Sequence, residues 1–152
     1  MIVFIIRLLN IMLAALLAGV SFGIWIGFNP MLLSASAYVE QQQNMLVSLR
    51  VLMVSLVVIA TIVTVLSAFL QKRERAAFIS LLMAAVLFFT CILITRFGNK
   101  PIDDQVLTWT TSSLPGDWTE LRDQWWSYHK MRTIAELGAF IIVVWNGIAK
   151  TL

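Results

Sequence analysis

The chain has 152 residues, 60% of them hydrophobic and 12% charged, with a formal net charge of +3 and a mean hydropathy of +0.88. These values exclude an ordinary soluble domain and identify an integral membrane protein whose first partners are membrane lipids. The small, dispersed positive charge excludes a nucleic-acid surface. One cysteine and one histidine leave no intrachain disulfide, no Cys-x-x-Cys redox pair, no haem held by two imidazoles of this chain and no usual zinc ligand set, so no metal is expected.

The first apolar run, 8–28, follows Arg7 and continues through Trp25 and Phe28. It therefore reads as a span, being longer than the signal-peptide core of about 7–15 residues. Ala15, Gly19, Gly23 and Gly27 recur every four residues, a small-residue stripe suited either to packing within the chain or to a homo-oligomer. Asn29-Pro30 then ends or kinks the helix. The half-polar stretch 31–44 reads as a solvated helical extension of the first span, or, with Glu40 and its neighbouring amides on one face, as the mouth of a pocket.

A second span, 46–70, carries Arg50 near its start. A cation there either snorkels to the interface or meets an anion. The short connection 71–76 holds Lys72, Arg73, Glu74 and Arg75, and a third, almost purely apolar span, 77–95, follows, with Cys91 as a small core hydrophobe. Residues 97–116 form the one substantial loop, with a turn at 99–104 and a short helix through Trp109. Pro115-Gly116 breaks the chain, and Asp117 with Glu120 makes a capping-box pattern for a last helix over 117–146. At 1.5 Å per residue that helix would be ~45 Å long against a hydrocarbon core of ~30 Å, so its first half must stand outside the core. Trp118 and Trp126 read as interfacial anchors there.

The expectation is an all-α protein: one membrane domain over 1–152, a left-handed four-helix transmembrane bundle with spans at 8–28, 46–70, 77–95 and 131–150. An extramembrane cap, 97–130, is built from the third loop and the start of the fourth helix. The tight positive loop favours both termini in the cytoplasm of a cell (inner) membrane, with Arg7, Lys72, Arg73, Arg75 and Lys150 on that side.

Along the last helix Arg122, Trp125, His129, Arg132 and Glu136 step by three or four residues and share a face. Arg132 and Glu136 can pair, and Arg132 can also offer donors to an oxyanion. His129 can move a proton near neutral pH, and Trp125 can stack on a planar molecule. The face suits a planar, acidic, hydrophobic phenol, enol or quinol. It also fits the ordinary Arg, His and Trp content of a helix leaving lipid.

Asn99-x-Pro101-Ile102, Trp109, Asp117-Trp118 and Arg122-x-x-Trp125-x-x-x-His129-x-x-Arg132, together with Pro30-x-Leu32 and Tyr38-Val39-Glu40-Gln41-Gln42, resemble the anthrone-oxygenase-like family of small four-helix membrane proteins, many of them known only as a domain of unknown function. The resemblance implies oxidation of anthrones to anthraquinones by molecular oxygen with no metal or flavin cofactor. It makes His129 the base, Arg132 and Arg122 the holders of the oxyanion, and Trp125 the stacking wall, with Asn99 shaping the cap; Trp109, Glu40 and Glu136 complete the substrate-binding set. The family usually has a second Asn after Pro-Ile, where this chain has Asp103. The competing readings are a non-catalytic binder of a lipid or quinone, a small subunit of a membrane complex, and a transporter.

Overall fold

Inside a bilayer every backbone N–H and C=O must find its partner within the protein, so long apolar runs without interior proline are committed to helix. The computed structural model describes residues 1–148; Lys150 and the end of the expected fourth span lie outside the described residues. Four helices are long and apolar enough to cross a membrane, and the described residues contain no strand beyond one isolated bridge between Thr110 and Ser113.

Helix α1 (Ile2–Gly27) ends where Phe28 N–H returns to the Ile24 carbonyl. Asn29 then caps a 3-10 turn, Pro30–Leu32, by accepting from Met31 N–H at 3.1 Å. Ser34 caps the next helix, accepting from Ala37 N–H at 3.3 Å. Helix α2 consequently runs unbroken over Ala35–Leu70, ~54 Å at 1.5 Å per residue. The stretch 31–44 is therefore not an extension of the first span: Pro30 supplies no N–H, Ser34 restarts the helix, and the polar residues become the first turns of α2.

After the turn at Gln71–Glu74, α3 (Arg75–Ile94) passes into a π-helical turn, Thr95–Asn99, and then into α4 (Lys100–Val106). The turn expected at 99–104 is thus continuous helix. Lys100 N–H bonds the Thr95 carbonyl five residues back, and this widened turn lets Pro101 sit at the start of α4, where its missing N–H costs nothing. Gly98 is required at this place. A Cβ on it would come within 2.8 Å of the Tyr128 ring, so its absence lets the widened turn lie against the last helix. Helix α5 (Trp118–Ile148) closes the bundle. Gln43 of α2 donates to both the Val106 and Trp109 carbonyls at 2.8 and 2.9 Å, which ties the end of α4 and the turn after it to α2 and fixes the cap.

Two apolar clusters result. Small residues, Ala14, Ala60, Ala84 and Ala139, let the four helices approach around Leu17, Met53, Leu81 and Phe88. Toward the cap the filling becomes aromatic, with Tyr38, Trp109, Trp125 and Trp126. The small-residue stripe serves neither cluster: Ala15, Gly19, Gly23 and Gly27 are exposed, and a Cβ on any of the three glycines meets nothing within 4 Å. The N-terminus, the α2–α3 turn and the end of α5 share one end of the bundle, tied by Arg7 to Gln71 and by Ser80 to Asn146.

Candidate functional site

The charged stripe of α5 does turn inward over most of its length. Trp125, His129 and Glu136 are buried and Arg132 is half-buried. Trp125 is held from both ends by the α3–α4 segment: Asn99 Nδ2 donates to its carbonyl at 3.1 Å, and its indole N–H donates to Asp103 Oδ1 at 2.7 Å. The π turn sets this up by placing Thr95, Asn99 and Asp103, four residues apart, along one inner face.

The His129 ring lies parallel to those of Trp125 and Trp126, each centroid 5.3 Å away. Its Nδ1 is 3.1 Å from Arg132 Nη2. A guanidinium only donates, so Nδ1 must accept and the ring hydrogen resides on Nε2. Ser21 of α1 faces this layer, its carbonyl toward His129 and its hydroxyl toward Glu136, but His129 Nε2, Ser21 Oγ and Glu136 Oε2 all stop short of a hydrogen bond. The expected Arg132–Glu136 pair does not form among the described residues. Arg132 instead reaches back toward the start of α5 to His129, and Glu136 ends beside Ser21 of α1.

Two neighbouring compartments border the layer. The inner chamber, about 50 Å³, is lined by Arg50, Thr95, Asn99, Asp103, Trp125 and Arg132 among apolar residues of α1 and α2. The outer cleft, about 430 Å³, runs between α2 and α3, with Val51, Val54, Val58 and Ile92 as walls and Arg50, Arg96 and Lys100 as cations. Arg50, Val54, Thr95 and Asp103 belong to both. Arg50 bonds Asp104 at 2.7 Å, and Lys100 pairs with the same carboxylate. The cation in the second span has thus met an anion while keeping 30% of its side chain exposed.

Of the residues proposed from sequence, Asn99, Trp125 and Arg132 meet at the inner chamber, His129 stands behind Arg132, and Glu136 lies one turn deeper. Trp109 packs instead on Tyr38, centroids 6.5 Å apart, as part of the cap. Glu40 is exposed on the outer side of α2, where the buried face of the same turns is Tyr38, Val39 and Gln42. Arg122 bonds Asp123 at 2.8 Å and covers the Trp118 ring, far from Arg132. Trp126, read as an interfacial anchor, is buried at 8% exposure against His129; Trp118 is half-buried on Tyr38. The sequence gives no site role to Ser21 or Thr95. The four-residue spacing of Thr95, Asn99 and Asp103 is the available signal, masked by the turn-like composition of 99–104.

No curated protein and no solved structure matches the chain. The family model described as anthrone oxygenase matches residues 43–142, which take in most of α2, all of α3 and α4, and every chamber residue from Arg50 to Arg132. A match over so much of the bundle makes this chain a member of the anthrone oxygenase family.

Proposed function

We propose that the protein is a membrane-embedded oxygenase that needs no cofactor and acts on a planar phenolic or anthrone-type molecule. The observation that carries this reading is the graded site: an apolar cleft beside a chamber where Arg50 and Arg132 bring two cations to a buried wall of Trp125 and Asn99. The cleft falls within the range of small-molecule sites, about 300–1,000 Å³. Val51, Val54 and Val58 belong both to its wall and to the exposed apolar surface of α2, so a hydrophobic substrate enters from lipid.

An anthrone carries a methylene group between two aryl rings, conjugated through them to a ketone. Loss of one proton gives an aromatic enolate whose charge rests on oxygen and whose carbon is rich enough in electrons to reduce dioxygen. The reaction balances with one methylene group and one dioxygen giving one carbonyl group and one water: the carbon supplies four electrons, one oxygen atom becomes the new carbonyl and the other leaves as water. Arg132 holds the enolate oxygen in a site where water is scarce and a fixed cation acts strongly. Its Nε is buried with no partner among the described residues. Asn99 steadies Trp125 by donating from Nδ2 to its carbonyl, and the Trp125 indole supplies a flat wall. His129 lines neither compartment and acts by holding the guanidinium. The cap faces outward, with both termini in the cytoplasm, an orientation supported by the positive turn at Lys72, Arg73 and Arg75.

The test is oxygen uptake and quinone formation by purified protein with 1,8-dihydroxyanthrone. Wild type should exceed the spontaneous rate and Arg132→Gln should lose the excess; equal rates with and without wild-type protein would overturn the reading. One observation favours non-catalytic binding of a lipid or quinone: the cations Arg50, Arg96 and Lys100 beside apolar walls also suit an anionic head on a hydrophobic tail. Saturable binding of such a molecule without oxygen consumption would select that alternative.

A further inference from the structure

The oxidation begins by moving a proton from carbon, and His129 is badly placed to receive it. The ring is 0% exposed and borders neither compartment. Its Nδ1 lone pair is taken by Arg132, so the hydrogen occupies Nε2 and neither nitrogen has a lone pair to offer. Trp125 and Trp126 stack parallel to the ring, and its 0% exposure leaves the nitrogen edge out of reach as well.

Asp103 differs on each count. Among the described residues it supplies the one carboxylate lining the chamber and the one lining the cleft, where the two compartments share a wall. Oδ1 is fixed by the Trp125 indole at 2.7 Å. Oδ2 makes no hydrogen bond or ion pair among the described residues, yet it is not one of the side-chain atoms sealed away from all access. Asp103 is thus a carboxylate with one oxygen clamped and the other open, set beside the cations Arg50 and Arg132 and the indole of Trp125 in the same chamber.

We propose that Asp103 is the catalytic base of this oxidation, an assignment that rests on the oxygenase reading above. Oδ2 takes one proton from the methylene group while the C–H electron pair moves into the ring system, leaving the charge on the oxygen held by Arg132. The carbon then joins dioxygen in two one-electron steps, and the peroxide takes the proton from Asp103. Asp103 next removes the second C–H proton. That electron pair forms the new C=O bond as the O–O bond breaks, and the departing hydroxide accepts the proton to leave as water. His129 is a positioning residue that acts through Arg132.

The base step can be read without oxygen chemistry as anaerobic deuterium exchange into the methylene group of 1,8-dihydroxyanthrone, using the full-length protein in detergent and heavy water. Wild type should accelerate exchange. Asp103→Asn keeps an acceptor for Trp125 and should lose about 100-fold or more of that acceleration, while His129→Gln keeps it within about tenfold at saturating substrate, as expected of a residue that touches no reacting atom. Exchange lost in Asp103→Ala should return on adding formate, which a misfolded variant would not show. Acceleration surviving in Asp103→Asn, no rescue by formate, or no acceleration by wild type overturns the assignment. Oxygen uptake separates the two claims. Wild-type exchange that depends on Asp103 without oxygen consumption sinks the oxygenase reading and leaves the base in place; oxidation undiminished in Asp103→Asn does the reverse.

Discussion

The two ends of the bundle both bury polar side chains and treat them in opposite ways. Near the termini Thr64 donates to Asn10 at 2.7 Å, Arg7 to Gln71 at 3.1 Å, Gln71 to Ser67 at 3.0 Å, and Ser80 to Asn146 at 3.0 Å, around a cavity of only about 10 Å³. From the middle of the bundle to the cap, Ser21, Tyr38, Gln42, Asn99, His129, Arg132 and Glu136 each keep at least one buried atom without a partner, beside compartments of about 50 and 430 Å³. An unmet buried polar atom costs about 1–3 kcal/mol. The closed network serves packing, and the open one is kept at a cost in stability that a ligand can repay.

Arg132 gives the largest expected break in this contrast. Arg132→Gln removes the cation proposed to hold the developing charge and should lower kcat by about 10²–10³-fold, the usual cost of losing one oxyanion donor, with cooperative thermal unfolding retained. A fall in apparent affinity alone, with kcat kept, would show that the guanidinium binds substrate and transition state equally. Gly98→Ala comes next. The new methyl enters the Tyr128 ring and either α5 or the π turn must move, at about 1–3 kcal/mol for overpacking. Because that turn orients Asn99 and Asp103, detergent-solubilised protein should melt earlier and lose oxidation together; a variant as stable and active as wild type would mean that Gly98 is merely tolerated.

How much of this was legible beforehand follows from what each feature depends on. The four helices were visible because apolar length is a local property, and the inward face of α5 because Trp125, His129 and Glu136 keep helical spacing. The α3–α4 segment is not legible as helix because Asn99 through Asp104 carries a proline, an amide and two acids, which in isolation signal a turn. What keeps it helical is a π turn pressed against Tyr128, a tertiary condition. Burial of Trp126 and exposure of Glu40 were hidden for the same reason: each depends on how neighbouring helices are rotated, and composition at a membrane boundary is the same either way.

The closed end should respond to substitution in stability alone. Asn10→Leu removes the acceptor of Thr64, which retains the Ala60 carbonyl at 2.7 Å, so the loss should be near the ~0.6 kcal/mol average for hydrogen bonds between transmembrane helices and no more than about 1.7. Thermal unfolding reports it. Oxidation at saturating substrate should stay within about twofold, since nothing at the chamber changes; a larger fall would mean that the two polar ends are coupled and the division between them is wrong.

No effect on catalysis is expected at Arg122, and that variant is the sharpest check on where the site lies. Arg122 and Arg132 occupy one stripe of α5 and carry the same charge, about 15 Å apart along the axis. Arg132 lines the chamber beside Asn99 and Trp125, whereas Arg122 is spent on Asp123 and the Trp118 ring, 5.1 Å from its guanidinium carbon. Such a cation–π contact is worth about 0.5–1 kcal/mol at an exposed site and about 2 when desolvated, and the Arg122 side chain is only 11% exposed, so Arg122→Gln should shift unfolding by about 1–2 kcal/mol and leave kcat and KM within about twofold. A tenfold loss of kcat in Arg122→Gln would move the oxyanion from the chamber up into the cap. In that case the unpartnered Tyr38 hydroxyl and Gln42 amide, which no step assigned to the chamber uses, would become the groups to test next.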